Sequence, residues 1–114
     1  SFCPCGPCVT TVDAIPDPQA LSMQLTLNGD IRQDASTALQ VFPVAAVIEF
    51  ISNMCTLEPG DIISTGTPAG VGNTTGTYLK PGDELKATIE KIGTLVSEVA
   101  TESSGHQARV SLGD

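Results

Sequence analysis

Leu21, Met23, Leu25 and Leu27 alternate with Ser22, Gln24 and Thr26, the period of two that marks a strand with one buried face. Asn28-Gly29 follows at once, the residue pair that best tolerates the positive φ angles of a two-residue hairpin turn. Asp30-Ile31-Arg32-Gln33 is then expected to return as the second strand. Farther on, Val44, Val47, Ile48 and Ile51 stand at i, i+3, i+4 and i+7, one apolar face of a helix. Pro43 suits its first turn, where no N–H is needed. The helix is expected over about 43–55, before the turn at Pro59-Gly60. Ile62-Ile63 reads as a short apolar strand entering a glycine-rich segment. After a second Pro-Gly-Asp turn at Pro81-Gly82-Asp83, Leu85, Ala87 and Ile89 alternate with Lys86, Thr88 and Glu90, which predicts another strand. Gly93 permits a turn, and Thr94 to Val99 is expected to come back beside it.

The pattern predicts an α+β chain, mostly β, with one main helix. Residues 1–20 are rich in Pro and Cys and read as loop, with one short extended piece at Val9-Thr10-Thr11-Val12. The stretch 101–114 is polar, with Ser103-Ser104-Gly105, and is expected to be a flexible tail. The organisation is therefore one domain over 1–100 and a tail. Its 114 residues suffice for a single modest core. With 4% aromatic residues and no Trp, aliphatic side chains must fill it.

Charge narrows the partners. The formal net charge is −8, and the basic residues are only Arg32, Lys80, Lys86, Lys91 and Arg109. Nucleic acid is bound by neutralising phosphates, and five scattered cations form no such footprint. Anionic membrane surfaces are disfavoured on the same ground. No apolar run approaches the roughly 18 residues of a membrane span. A soluble cytoplasmic protein is expected, with its four cysteines as thiols.

Candidate chemistry centres on Ile62-Ile63-Ser64-Thr65-Gly66-Thr67-Pro68-Ala69-Gly70-Val71-Gly72. Glycines let backbone N–H groups approach a ligand closely, and Thr65 and Thr67 add hydroxyls able to hold a carboxylate or carbonyl oxygen. The segment lacks Gly-Lys-Ser/Thr and the Gly-x-Gly-x-x-Gly spacing, so the nucleotide-binding loops are excluded. On this chemistry alone, a structural glycine-rich turn is the stronger claimant. Cys3, Cys5 and Cys8, with Cys55, make up the ligand count of a structural zinc site. Cys-x-Cys crowds two ligands, however, and packing as small hydrophobes is the preferred reading. His106, the sole histidine, lies in the polar tail and is expected in solvent. Asp13, Asp17 and Asp34 are read as turn residues capping backbone N–H groups. Arg32 and Lys80 are read as solvent-facing.

The run Leu57-Glu58-Pro59-Gly60-Asp61-Ile62-Ile63, continuing through Thr65-Gly66-Thr67-Pro68-Ala69-Gly70-Val71-Gly72, is similar to the most recognisable signature of the fumarylacetoacetate hydrolase family. Phe2-Cys3-Pro4-x-Gly6-Pro7, Ile15-Pro16-Asp17-Pro18-Gln19, Asn28-Gly29, Gln33-Asp34, a helix starting near Phe42, Tyr78-Leu79-Lys80-Pro81-Gly82-Asp83 and Ile92-Gly93-Thr94-Leu95 resemble further family segments in the right order. The likeness covers about residues 1–99.

The resemblance implies the family's β-roll or sandwich, here incomplete. It also implies part of an enzyme that hydrolyses a carbon–carbon bond in acylpyruvates and fumarylacetoacetate-like diketo acids, as in aromatic catabolism. Relatives isomerise or decarboxylate related 2-oxo acids. Mg²⁺, or Mn²⁺ or Ca²⁺, is expected in a full-length enzyme, where it chelates an enolate or 2-oxo-carboxylate while a general base activates water. The family's metal carboxylates, its His–Glu pair and a catalytic Lys would lie upstream of Ser1. No catalytic residue and no metal ligand is thus expected in this chain, which alone should be inactive and hold no metal. Two positions carry over as substrate contacts, Thr67 and Gly66. Ser1 aligns with a threonine near the metal. The expected partners are a small dicarbonyl acid and a second copy of the chain, as a homodimer. A truncated scaffold without catalysis, and a cysteine metal module, are the competing readings.

Overall fold

The structure is a computed structural model and describes residues 3–101. Four strands form one antiparallel sheet: β1 (Ser22–Leu27), β2 (Asp30–Ser36), β3 (Glu84–Ile89) and β4 (Gly93–Glu98), in the order β2-β1-β3-β4. Between β2 and β3 lie a 3-10 turn (Thr37–Leu39), a helix α1 (Val44–Ser52) and a single helical turn α2 (Gly72–Thr75). The described residues are therefore mostly β, with little helix.

The β1–β2 hairpin forms for the reason its sequence states. Asn28 and Gly29 have φ of 54° and 88°, the paired positive angles that match a tight turn to the twist of its strands. Asn28 does more than turn the chain. Its amide Nδ2 donates to Asp83 Oδ1 at 2.9 Å, its Oδ1 accepts from the Glu84 backbone at 2.9 Å, and its own N–H reaches Glu84 O at 2.9 Å. The hairpin tip is thereby tied to the start of β3, its neighbour on the other side of β1. At the opposite end of the sheet, Glu90 accepts from the Ser22 backbone and hydroxyl at 3.1 and 3.2 Å.

Both Pro-Gly-Asp turns close the same way. Asp61 and Asp83 each accept from the backbone N–H three residues earlier, Glu58 at 2.8 Å and Lys80 at 2.7 Å. Each also returns its own N–H to that residue's carbonyl. The Asp side chain thus satisfies a donor that the turn leaves open.

Pairing aligns Leu25 with Ala87 and Leu27 with Leu85, and Ala87 with Leu95, so one face of the sheet is apolar. Thr26, Lys86, Thr88 and Val96 share the other face, where the Thr88 and Thr94 hydroxyls meet at 2.9 Å. Among the described residues the buried apolar side chains are Ile15, Leu21 and Leu27, none of them wholly shielded from solvent. Burying a leucine contributes roughly 1.5–3 kcal/mol, so this core is thin. Large apolar side chains stand open instead, among them Val41, Phe42, Phe50 and Met54 around α1.

Several expectations are corrected. Ile62-Ile63 forms no strand, because no neighbouring strand lies beside it to complete a ladder. Val9–Val12 likewise forms no ladder. The helix is shorter than 43–55, spanning Val44–Ser52, and Pro43 is its N-cap rather than its first helical residue. Gln19 Oε1 reaches across from the N-terminal loop to accept from Val44 N at 2.7 Å, and this supplies the cap that Pro43 lacks. The turn before β4 takes positive φ at Lys91 (63°) as well as at Gly93 (117°), and Gly93 also opens the strand. The tail expected over 101–114 lies, apart from Thr101, outside the described residues.

Candidate functional site

The hairpin holds one irregularity that governs the site. From Leu27↔Asp30 the pairing runs to Thr26↔Ile31, then jumps to Leu25↔Gln33. Arg32 is the extra residue of a β-bulge. Because side chains alternate along a strand, an extra residue flips every later side chain to the opposite face. In an unbroken register Gln33 would pair with Gln24 on the polar face. The bulge places it instead beside Leu25, on the apolar face.

There it meets the glycine-rich loop. Gln33 Nε2 donates to Thr67 Oγ1 at 2.9 Å and to the Pro68 carbonyl at 2.8 Å. A second glutamine acts seven residues on, where Gln40 Nε2 donates to Thr65 Oγ1 at 3.1 Å. Gly70 completes the docking. A side chain there would collide with the Arg32 carbonyl of the bulge, so the loop backbone sits directly on the strand backbone. Its φ of 109° also lies where side chains are strained. The glycine is required twice over, by space and by backbone angle.

Loop and sheet together enclose an open groove of about 310 Å³, at the lower end of ligand-sized cavities. Leu25, Leu27 and Leu85 lie on its floor, with Arg32, Gln33 and Thr67 among its walls. Arg32 supplies the groove's positive charge, and its Nε is buried without a hydrogen-bond partner. An apolar floor with a few convergent polar groups is the general form of a small-molecule site.

Of the residues expected from the sequence, Thr67 is exposed at this groove and Gly66 adjoins it. A Cβ at Gly66 would meet nothing within 4 Å, which leaves open space for a ligand beside the backbone. Ser1 and His106 lie outside the described residues. Arg32 is corrected from solvent-facing to half-buried, because the bulge turns it toward the loop. Asp34 is corrected from a turn to β2. Asp17 does cap a turn, accepting from Gln19 N at 2.9 Å. Lys80 is exposed at the start of its turn.

The cysteines do not pack as expected. Cys3, Cys5, Cys8 and Cys55 are all exposed, and none is in a disulfide, since the N-terminal segment and the end of α1 run along the surface. Among the described residues no three His, Cys, Asp or Glu side chains gather as a metal cage. A metal implied by the resemblance therefore does not fit the donors described here.

Three carboxylates are held below their usual range. Asp83 is lowered from 3.8, first by the Asn28 side chain and then by the Lys80 backbone. Glu90 is lowered from 4.5 by its bonds to the Ser22 backbone and hydroxyl. Asp13 is lowered by the Thr11 hydroxyl. All three serve turns and strand ends, and Asp83 is close enough to the groove for the Arg32 charge to add to its lowering. Gln33, Gln40 and the bulge at Arg32 are the site features that sequence reasoning missed.

Known proteins share this fold. The fumarylacetoacetate hydrolase of the psychrophile Exiguobacterium antarcticum is 42% identical and superposes with a TM-score of 0.84 over 89% of this chain and 37% of its own. Maleylpyruvate hydrolase from Sphingobium sp. SYK-6, solved with manganese(II) and pyruvate, is 42% identical with a TM-score of 0.80, over 87% of this chain and 36% of that one. The 2-hydroxyhepta-2,4-diene-1,7-dioate isomerase of Mycobacterium marinum is 43% identical, with a TM-score of 0.69, over 77% of this chain and 33% of that one. The chain spans about a third of the length of the curated relatives it matches. Residues 1–100 match the model described as fumarylacetoacetate (FAA) hydrolase C-terminal, and the chain belongs to the fumarylacetoacetate hydrolase family.

Proposed function

We propose that this chain is the substrate-cradling part of a hydrolase that cleaves a carbon–carbon bond in acylpyruvate- or fumarylacetoacetate-like diketo acids. The observation that carries the reading is Thr67, held by Gln33 at a groove with an apolar floor. Thr67 and Gly66 contact the acid: the threonine hydroxyl takes a carboxylate or carbonyl oxygen, and the bare glycine lets the ligand approach. The leucines of the floor exclude water from its carbon skeleton.

Cleaving such a bond requires a stabilised enolate leaving group and an activated water. The described residues form no metal cage, and the groove's lining holds no carboxylate or imidazole to act as base, so in this reading those groups come from the rest of the proposed enzyme. The manganese and pyruvate bound by the Sphingobium hydrolase support a divalent cation there, Mg²⁺ or Mn²⁺. In this reading the enzyme works as a cytoplasmic homodimer, and the 114-residue chain alone turns over nothing. Among the described residues no helix is long and apolar enough to cross a membrane.

The test takes the protein in the full form its gene encodes. An acylpyruvate is supplied with Mg²⁺ or Mn²⁺, the enol absorbance is followed, and released pyruvate is assayed with lactate dehydrogenase. Metal-dependent loss of absorbance with stoichiometric pyruvate supports the hydrolase. The isomerase likeness favours a second reading, turnover of a related 2-oxo acid without pyruvate release. No turnover of either kind leaves the non-catalytic scaffold.

A further inference from the structure

We propose that Gln33 is the positioning residue of this site, fixing the direction of the Thr67 hydroxyl proton so that Thr67 meets its ligand as a hydrogen-bond donor. The inference rests on Thr67 being the substrate contact.

The argument is one of donors and acceptors. The Pro68 carbonyl oxygen can only accept, so the Gln33 atom 2.8 Å from it is the amide nitrogen. That settles which way round the carboxamide lies. The same nitrogen stands 2.9 Å from Thr67 Oγ1, and its second proton makes that oxygen an acceptor. A hydroxyl that accepts from one side has its single proton left to give elsewhere. Thr67 is exposed, and the space beside Gly66 is open, so the proton is presented to the groove. A carboxylate or enolate oxygen is the acceptor it suits, because hydrogen bonds to charged acceptors are the stronger kind.

Gln40 also donates to its threonine through Nε2, but its amide makes no second bond to a loop carbonyl that would lock its direction, and its Oε1 is buried without a partner. The distinction between the two glutamines traces to the Arg32 bulge, which carries Gln33 to the loop and lets it reach Pro68 as well as Thr67.

Two measurements on the full gene-encoded protein test the proposal. The first needs no ligand. The ¹⁵N–¹H signals of the Gln33 carboxamide are assigned, and Thr67→Val is expected to move the proton facing Thr67 while the one on Pro68 stays. Unchanged Gln33 signals in Thr67→Val overturn the proposal. The second is calorimetric titration with pyruvate in buffer containing Mn²⁺, across Gln33→Met, Thr67→Val and the double variant. Thr67→Val is expected to weaken binding roughly tenfold to hundredfold, as the loss of a hydrogen bond to a charged acceptor does, and Thr67→Ser to preserve it. Gln33→Met should weaken it roughly threefold to tenfold when Thr67 is intact, yet by under about twofold in the Thr67→Val background. Equal weakening in both backgrounds, or none, overturns the positioning role while leaving Thr67 as the contact. Full affinity in Thr67→Val, or no pyruvate binding in the unsubstituted protein, overturns the substrate reading and this inference with it.

Discussion

Gly66 and Gly70 stand four residues apart in one loop with nearly the same φ, 101° and 109°, and differ in what surrounds them. Replacing each by alanine separates backbone strain from collision. A side chain in this φ region costs on the order of 1–3 kcal/mol, and Gly66→Ala should lose about that and nothing more, because its Cβ enters open space. Gly70→Ala bears the same strain and also drives a methyl group into the Arg32 carbonyl. Backbone cannot rotate aside as a side chain does, so the loop must lift from the bulge. Lifting breaks the hydrogen bonds of Gln33 to Thr67 and Pro68 at 2.9 and 2.8 Å, each worth about 0.5–1.5 kcal/mol net. Gly70→Ala should therefore exceed Gly66→Ala by roughly 1–3 kcal/mol. The assay is urea denaturation of both variants, with hydrogen exchange at the loop amides to show local opening in Gly70→Ala. Equal losses, or unaltered loop exchange in Gly70→Ala, would refute the docking of this loop on the bulge.

Further outcomes are expected from the same structure. Asp83 and Glu90 have lowered pKa values in the folded chain, so the unfolded chain binds their protons more tightly. The stability they contribute is complete above their usual values of 3.8 and 4.5 and is lost as pH falls through the folded values. Melting temperature should thus decline on acidification below about pH 4.5, more shallowly in Asp83→Asn; a decline as steep in that variant would remove Asp83 from the account. Asn28→Ala should cost about 1–3 kcal/mol, through the positive φ and the lost bonds to Asp83 and Glu84. Asn28→Gly, which keeps the angle, should cost less, and chemical denaturation ranks the two. With Val41, Phe42, Phe50 and Met54 exposed, the 114-residue chain by itself should bind a hydrophobic dye strongly; fluorescence no higher than a compact control of similar mass would contradict that exposure.

Local interactions made much of the molecule readable from sequence. Asn28-Gly29 dictates its hairpin because few other pairs adopt two successive positive φ angles. The Leu21–Leu27 and Leu85–Ile89 alternations give strands with an apolar face, since side chains alternate with a period of two. Each Pro-Gly-Asp turn carries its own closing hydrogen bond within four residues. The glycine-rich run marked the loop, and its likeness to a family signature marked Thr67 and Gly66 within it.

The tertiary structure decided what depends on partners distant in sequence. Ile62-Ile63 has the composition of a strand but gains no ladder, because pairing requires a neighbour that local composition does not supply. Gln19 caps a helix that begins 25 residues later, a bond no local pattern announces. The consequential case is Gln33. Counted along the strand from the Asn-Gly turn, it belongs to the solvent face and reads as an ordinary polar residue. One extra residue at Arg32 turns it inward, onto a loop 34 residues away in the chain. The bulge and the docked loop fit one another, with Gly70 against its carbonyl and Pro68 on its glutamine. The sequence alone therefore determined that a glycine-rich loop with a threonine would exist, and the assembled fold determined which way that threonine faces.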